Sequence, residues 1–231
     1  MKILAASKAL KIYWAIPLLF IAIAICLTSC KSNGDVLPSG KQAQLNLVNT
    51  DTTSLNVYQN GARINNLSTI SPGGITGYIP VNFGTTIYQV KKDGASNYLI
   101  DGYSMKLDTN AFYTLFIGGE TADKLFLTPD AHALVGSNAL IRFVDAANTT
   151  TNFDIYIGSN LSFSNRAFKS FTDFTTIVAG TYLVTVYPHG SATAFLKGSV
   201  ILSAGGAYTF FVKGIPGTTG LSKFSATLLV N

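Results

Sequence analysis

Phe112-Tyr113-Thr114-Leu115-Phe116-Ile117 is answered later in the chain by Ala207-Tyr208-Thr209-Phe210-Phe211-Val212, and that echo decides how the rest is read. Two further pairs keep the same order: Leu47-Val48-Asn49 with Phe143-Val144-Asp145, and Leu55-Asn56-Val57-Tyr58 with Phe153-Asp154-Ile155-Tyr156. Three ordered matches at a near-constant offset of about 96 residues mark a duplicated module. The repeat places one domain over 43–127 and a second over 139–231. Between them lies a linker, 128–138, where Pro129, Asp130, Gly136 and Asn138 interrupt the apolar pattern.

Each module, about 90 residues, reads as short strands. Leu45 and Leu47 alternate with Gln44 and Asn46; Phe153, Ile155 and Ile157 with Asp154 and Tyr156; Tyr182, Val184 and Val186 with Thr181, Leu183 and Thr185. Asn60-Gly61, Asp93-Gly94 and Gly205-Gly206 supply turn signals between such runs. No helical stripe of three turns follows residue 30. The expected fold class is therefore all-β: two antiparallel β-sandwiches in series, of the immunoglobulin or transthyretin sort.

The N-terminal stretch is of another kind. Lys2, Lys8 and Lys11 lead into an apolar run from Ile12 to Cys26, followed by Leu27-Thr28-Ser29-Cys30. A basic start, about fifteen apolar residues and a small-residue end describe a secretory signal, since a membrane span wants about twenty. The sequence LTSC resembles the lipobox of bacterial lipoproteins. That resemblance implies cleavage between Ser29 and Cys30, residues 1–29 being removed, and lipidation of Cys30, with several acyl chains giving stable anchoring. Lys31 stands where an inner-membrane retention signal would place Asp, so the resemblance points to the outer membrane and leaves the membrane face open. Residues 31–42 (KSNGDVLPSGKQ) read with Cys30 as a tether reaching roughly 20 Å.

The formal charge of +5 comes from 16 Lys and Arg against 11 Asp and Glu, and three of those lysines precede residue 30. Downstream the balance is close to neutral, and the longest basic run is Lys91-Lys92. A nucleic-acid partner is excluded on that ground. Only 12% of residues are charged, and Glu120 is the single glutamate. Material for acid/base chemistry is thin. His132 falls in the linker and His189 in the Pro188-His189-Gly190 turn, where solvated loop roles are expected, and no Gly-x-Ser-x-Gly occurs. Asp145 and Asp154, with Asn148 and Asn152 between them, offer oxygens but match no calcium loop, and paired thiols or histidines for zinc are lacking. The expectation is no enzyme, no catalytic residue, no metal and no cofactor.

The aromatic surplus is the informative feature. Phe168, Phe171 and Phe174 recur every third residue in RAFKSFTDF, which a strand cannot place on one side. They suit either a partner or glycan patch or a connection folding its phenyls over the open end of a sandwich. Tyr58, Tyr156 and Tyr187 are expected to point outward, where tyrosine suits sugar stacking or protein contact, so Phe168, Phe171, Phe174 and Tyr156 are the candidate binding residues. Arg142, in LIRFV with no acid nearby in sequence, reads as an outward-facing or salt-bridged strand arginine.

Ala139-Leu140-Ile141-Arg142-Phe143-Val144-Asp145-Ala146, then Phe153-Asp154-Ile155-Tyr156, then Ala179-Gly180-Thr181-Tyr182-Leu183-Val184-Thr185-Val186 resemble the repeated module of the DUF4397 family of domains of unknown function. The resemblance covers 135–215 well. The first half is a degenerate copy, without Ala-Gly-Thr-Tyr and with Asn46 at the position of Arg142. It implies a lipoprotein of the Bacteroidetes type with tandem sandwich modules, and it implies no chemistry. The functional expectation is a lipid-anchored envelope protein that binds a protein or a glycan. The alternatives are a fimbrial component pairing through a strand edge, and a hydrolase.

Overall fold

A computed structural model describes residues 41–131 and 136–231. The expected signal segment, Ser29, Cys30 and His132 lie outside the described residues. Gly40–Asn231 forms one compact unit.

The described chain is nearly all β, in four four-stranded sheets forming two sandwiches. The first sandwich contains β1 (Ala43–Asn49), β2 (Leu55–Gln59), β3 (Ala62–Arg63), β4 (Ile75–Val81), β5 (Gly84–Lys92), β6 (Ile100–Leu107), β7 (Phe112–Ile117) and β8 (Leu125–Pro129). The second contains β9 (Asn138–Asp145), β10 (Phe153–Ile157), β11 (Asn160–Arg166), β12 (Thr175–Val178), β13 (Gly180–Pro188), β14 (Leu196–Leu202), β15 (Ala207–Lys213) and β16 (Ser225–Val230). The sheets run β3-β2-β5-β6 and β4-β1-β7-β8, then β12-β9-β15-β16 and β11-β10-β13-β14. Pairing is antiparallel except once per sandwich, where β1 lies parallel to β7 and β9 parallel to β15. The duplication thus extends to topology, strand for strand.

Local chemistry explains the elements. Asn60 and Gly61, both at positive φ (50° and 81°), make the tight turn between β2 and β3, a conformation that asparagine and glycine tolerate. Alternation in β5 and β10 puts Tyr88 and Val90, or Phe153, Ile155 and Ile157, into the cores. In β1, β7, β9 and β15 alternation gives way to nearly continuous burial. A strand reads that way when both of its faces are covered. Leu45, Leu47, Leu115 and Ile117 point into the first core, and Ile141, Phe143, Phe210 and Val212 into the second. The opposite faces bring Val48, Phe116, Phe126, Val144, Phe211 and Leu229 into a third apolar cluster between the sandwiches. Repeat-equivalent residues meet there: Phe116 and Phe211 stand edge to face at 5.4 Å, and Thr50 Oγ1 donates to Ala146 O (3.4 Å). Two copies of one sheet face thus pack on each other as in an isologous dimer.

Two expectations need correcting. Thr128 and Pro129, assigned to the linker, belong to β8, where they pair with Thr114 and Tyr113. Arg142 does not face outward. It is 1% exposed, because the outer face of β9 is covered by the first sandwich. The other half of that expectation holds, since Arg142 is ion-paired with Asp130.

Candidate functional site

Arg142 is the centre of a buried polar ring at the junction. Its Nε donates to Thr209 Oγ1 (2.8 Å), Thr209 donates to Asn231 Oδ1 (2.6 Å), and Asn231 Nδ2 donates to the Tyr78 hydroxyl (3.2 Å). Tyr78 donates to Asp130 Oδ2 (2.7 Å), and Asp130 closes the ring by pairing with Arg142. Arg142 also donates to Thr128 Oγ1 and Pro129 O, and its guanidinium lies 4.6 Å from the Phe174 ring centroid. Burial, with the Asp130 charge beside it, pushes the Tyr78 hydroxyl far above its ordinary range. Tyr78 therefore keeps its proton at neutral pH, and the ring fastens two sheets together.

His189 is not simply solvated. Its Nδ1 lies 3.0 Å from both carboxylate oxygens of Asp154, which also accepts from Ser164 Oγ (3.0 Å) and the Asn165 N–H (2.7 Å). Burial acts to raise Asp154, but the Asn165 N–H, His189 and Ser164 outweigh it and hold the carboxyl below its usual range. Serine and histidine both bind the acid here, whereas nucleophilic catalysis needs serine bound to histidine. The cluster reads as a clamp joining β10, β11 and the turn after β13. Asp145 turns into the interior instead, and no group of three His, Cys, Asp or Glu that could hold a metal occurs among the described residues.

The phenylalanines separate. Phe168 packs on the interdomain cluster, 6.1 Å from Phe126, with Lys124 Nζ 5.4 Å from its ring. Phe174 covers Arg142. Phe171 is 40% exposed and forms an isolated bridge to Val144. They make neither one continuous patch nor one lid. The segment carrying them runs beside β9 and seals the junction.

The tyrosines form a repeated surface. Tyr156 on β10 meets Tyr187 on β13 edge to face at 5.4 Å and 72°, on the outer face of β11-β10-β13-β14. Its counterpart Tyr58 meets Tyr98 at 5.6 Å and 86°, with Lys91 Nζ 5.3 and 4.4 Å from the two rings. Tyr98 and Lys91 were missed in the sequence: the β2–β5 register sets Gln89 opposite Tyr58 and Lys91 one pair further on, opposite Asn56, and Tyr98 comes from the connection between β5 and β6. A separate apolar cleft of about 660 Å³ opens between β14 and β16.

The family described as "Domain of unknown function (DUF4397)" matches residues 43–150 and again 139–230. The chain belongs to this family. The two DUF4397 matches begin at the first strands of the two sandwiches, the first running on through β9. No curated protein matches the chain. Among solved structures, one similar chain is CBMbc, of carbohydrate-binding family CBM26, from Eubacterium rectale Amy13K in complex with maltoheptaose. It is 12% identical with a TM-score of 0.26, over 81% of this chain and 97% of that one. At that TM-score the likeness bears on neither fold nor ligand.

Proposed function

We propose that this chain is a lipid-anchored, non-catalytic binding module of the outer membrane, engaging a protein or glycan partner through its tyrosine-bearing outer sheets. The observation that carries the reading is Tyr58 and Tyr156, placed alike by both repeats and each set edge to face against a second tyrosine. Half-buried tyrosines combine large apolar area with a polar tip and lose little side-chain entropy on contact, which is why they anchor interfaces. Crossed rings offer no coplanar platform for a sugar, so a protein partner suits them better. Two equivalent faces on one compact unit also allow bivalent engagement. The test compares wild type with Tyr58→Ser, Tyr156→Ser and the double variant on a glycan array and in envelope cross-linking. Each single change is expected to weaken binding modestly and the pair by about 100-fold or more; unchanged binding in the double variant sinks the reading.

Anchoring is tested separately. With Cys30→Ala the protein is expected to leave the membrane fraction, and its persistence there would count against lipidation. The strand-pairing alternative has one observation in its favour, the unpaired edges of β14 and β16. It calls for polymer ladders on gels.

A further inference from the structure

The two modules differ most where their sheets open at the side. In the first, Tyr88 on β5 stands opposite Tyr103 on β6. Tyr88 is fully buried, its hydroxyl accepting from Gln59 Nε2 (2.7 Å), and Tyr103 reaches across to the other sheet, donating to Leu125 O on β8 (3.3 Å). Together they plug that edge. The matching register of the second sandwich sets Val184 opposite Gly198, as Ile155 opposite Val186 matches Val57 opposite Val90. Two tyrosines have become a valine and a glycine, and Met105 has become Val200.

The vacated volume is the 660 Å³ cleft between β14 and β16. Its walls are Val184, Val186, Val200, Phe210, Phe224 and Leu228, all directed inward. A Cβ built on Gly198 meets nothing within 4 Å. A volume of this size lies within the usual range for small-molecule sites. At the mouth stands Lys223, and beside it on the edge strand β14 lies Lys197, which its partner Thr185 places on the outer side of that edge; both are exposed and, among the described residues, in no side-chain ion pair or hydrogen bond. Neither β14 nor β16 carries an acid. An apolar slot with Lys223 at its mouth and Lys197 on the adjoining edge is complementary to a long aliphatic chain ending in an anion.

We infer that the second sandwich binds a free long-chain fatty acid, its chain between β14 and β16 and its carboxylate at Lys197 and Lys223. The apolar slot lies on the inner side of the sheet and the tyrosine pair on its outer side, and only Lys197, in the outer-face row of Thr185 and Tyr156, borders both. The first module cannot take this ligand, because Tyr88 and Tyr103 occupy the space.

The full chain, in its host membrane, is photolabelled with diazirine-bearing hexadecanoic acid, and the labelled peptides are located by mass spectrometry. Label is expected on the peptides holding Val184–Ile201 and Phe224–Leu228, competed by plain hexadecanoate. An eight-carbon probe should label at least about ten-fold less, since each buried methylene adds affinity. Gly198→Tyr, which restores the first module's plug, should abolish the label; if that variant does not melt cooperatively, Val200→Met carries the same test. Lys197→Ser with Lys223→Ser should erase the preference for the acid probe over the matching alcohol. Undiminished labelling after plugging, label spread over the whole surface, or polymer ladders that vanish with Gly198→Tyr would each overturn the inference, the last by assigning the cleft to a strand from a second copy.

Discussion

Asn49 and Asp145 occupy the same place in the two repeats and solve it differently. Asn49 Nδ2 donates to the carbonyls of Thr53, Ile70 and Ser71, and its Oδ1 accepts from the Asp51 N–H. Asp145 Oδ1 likewise accepts from the Ala147 N–H (2.9 Å), but its Oδ2 is buried without a partner among the described residues. Burial, only partly opposed by that N–H, pushes its carboxyl up to about 7. The charged groups nearest in sequence or on the packed segment are engaged elsewhere or add nothing to that shift: Arg142 holds Asp130, and Lys169 donates to Asp123 O. Because the folded state holds this proton more tightly than the unfolded chain, the associated stability is complete below about pH 4 and is lost as pH rises to about 7. Asp145→Asn, copying Asn49, is expected to stabilise the protein at pH 8 by on the order of 2–4 kcal/mol. Thermal melts at pH 5 and pH 8 check it: the variant should flatten the difference, and an unchanged pH slope would show that Asp145 is not its source. The sequence displayed the Asn-to-Asp exchange but not its consequence, since burial of a carboxylate is a property of what packs on it.

At the level of strands, the interface is built by the faces that sequence alternation would assign to solvent. Phe116 and Phe211 are fully buried and meet each other across it. Phe116→Ala and Phe211→Ala are each expected to cost about 3–5 kcal/mol. In a double-mutant cycle by denaturant titration, the pair should show a coupling of about 0.5–1.5 kcal/mol; strict additivity would mean the two rings do not interact in solution. Runs such as LIRFV and YTFFV read as strands, with an outward or salt-bridged Arg142 in the first, and the cover on their second face is not legible. The same limit applies to Arg142, whose acid lies twelve residues upstream on the other sandwich, and to Phe168, which the sequence leaves between a partner patch and a cover over a sandwich end until β7 and β8 are placed beneath it.

For the molecule as a whole, the junction joins two cores through an apolar cluster and one buried ion pair. Removing one partner of such a pair strands the other in a dry site, so Arg142→Met is expected to cost about 3–5 kcal/mol. Calorimetry should show wild type unfolding in one transition and the variant in two, as the sandwiches lose their common fastening. A single transition in both would place the coupling in the apolar cluster alone.

Sequence by itself determined the strands, the turns between them, the duplication, the family and the scarcity of catalytic groups, because these follow from local periodicity and from comparing one half of the chain with the other. Tertiary structure decided which faces meet, which carboxylate is stripped of water, why Arg142 is inside, and that one module is plugged by tyrosines while the other is open. Those facts depend on residues far apart in the chain coming into contact, and neither composition nor spacing records such contacts.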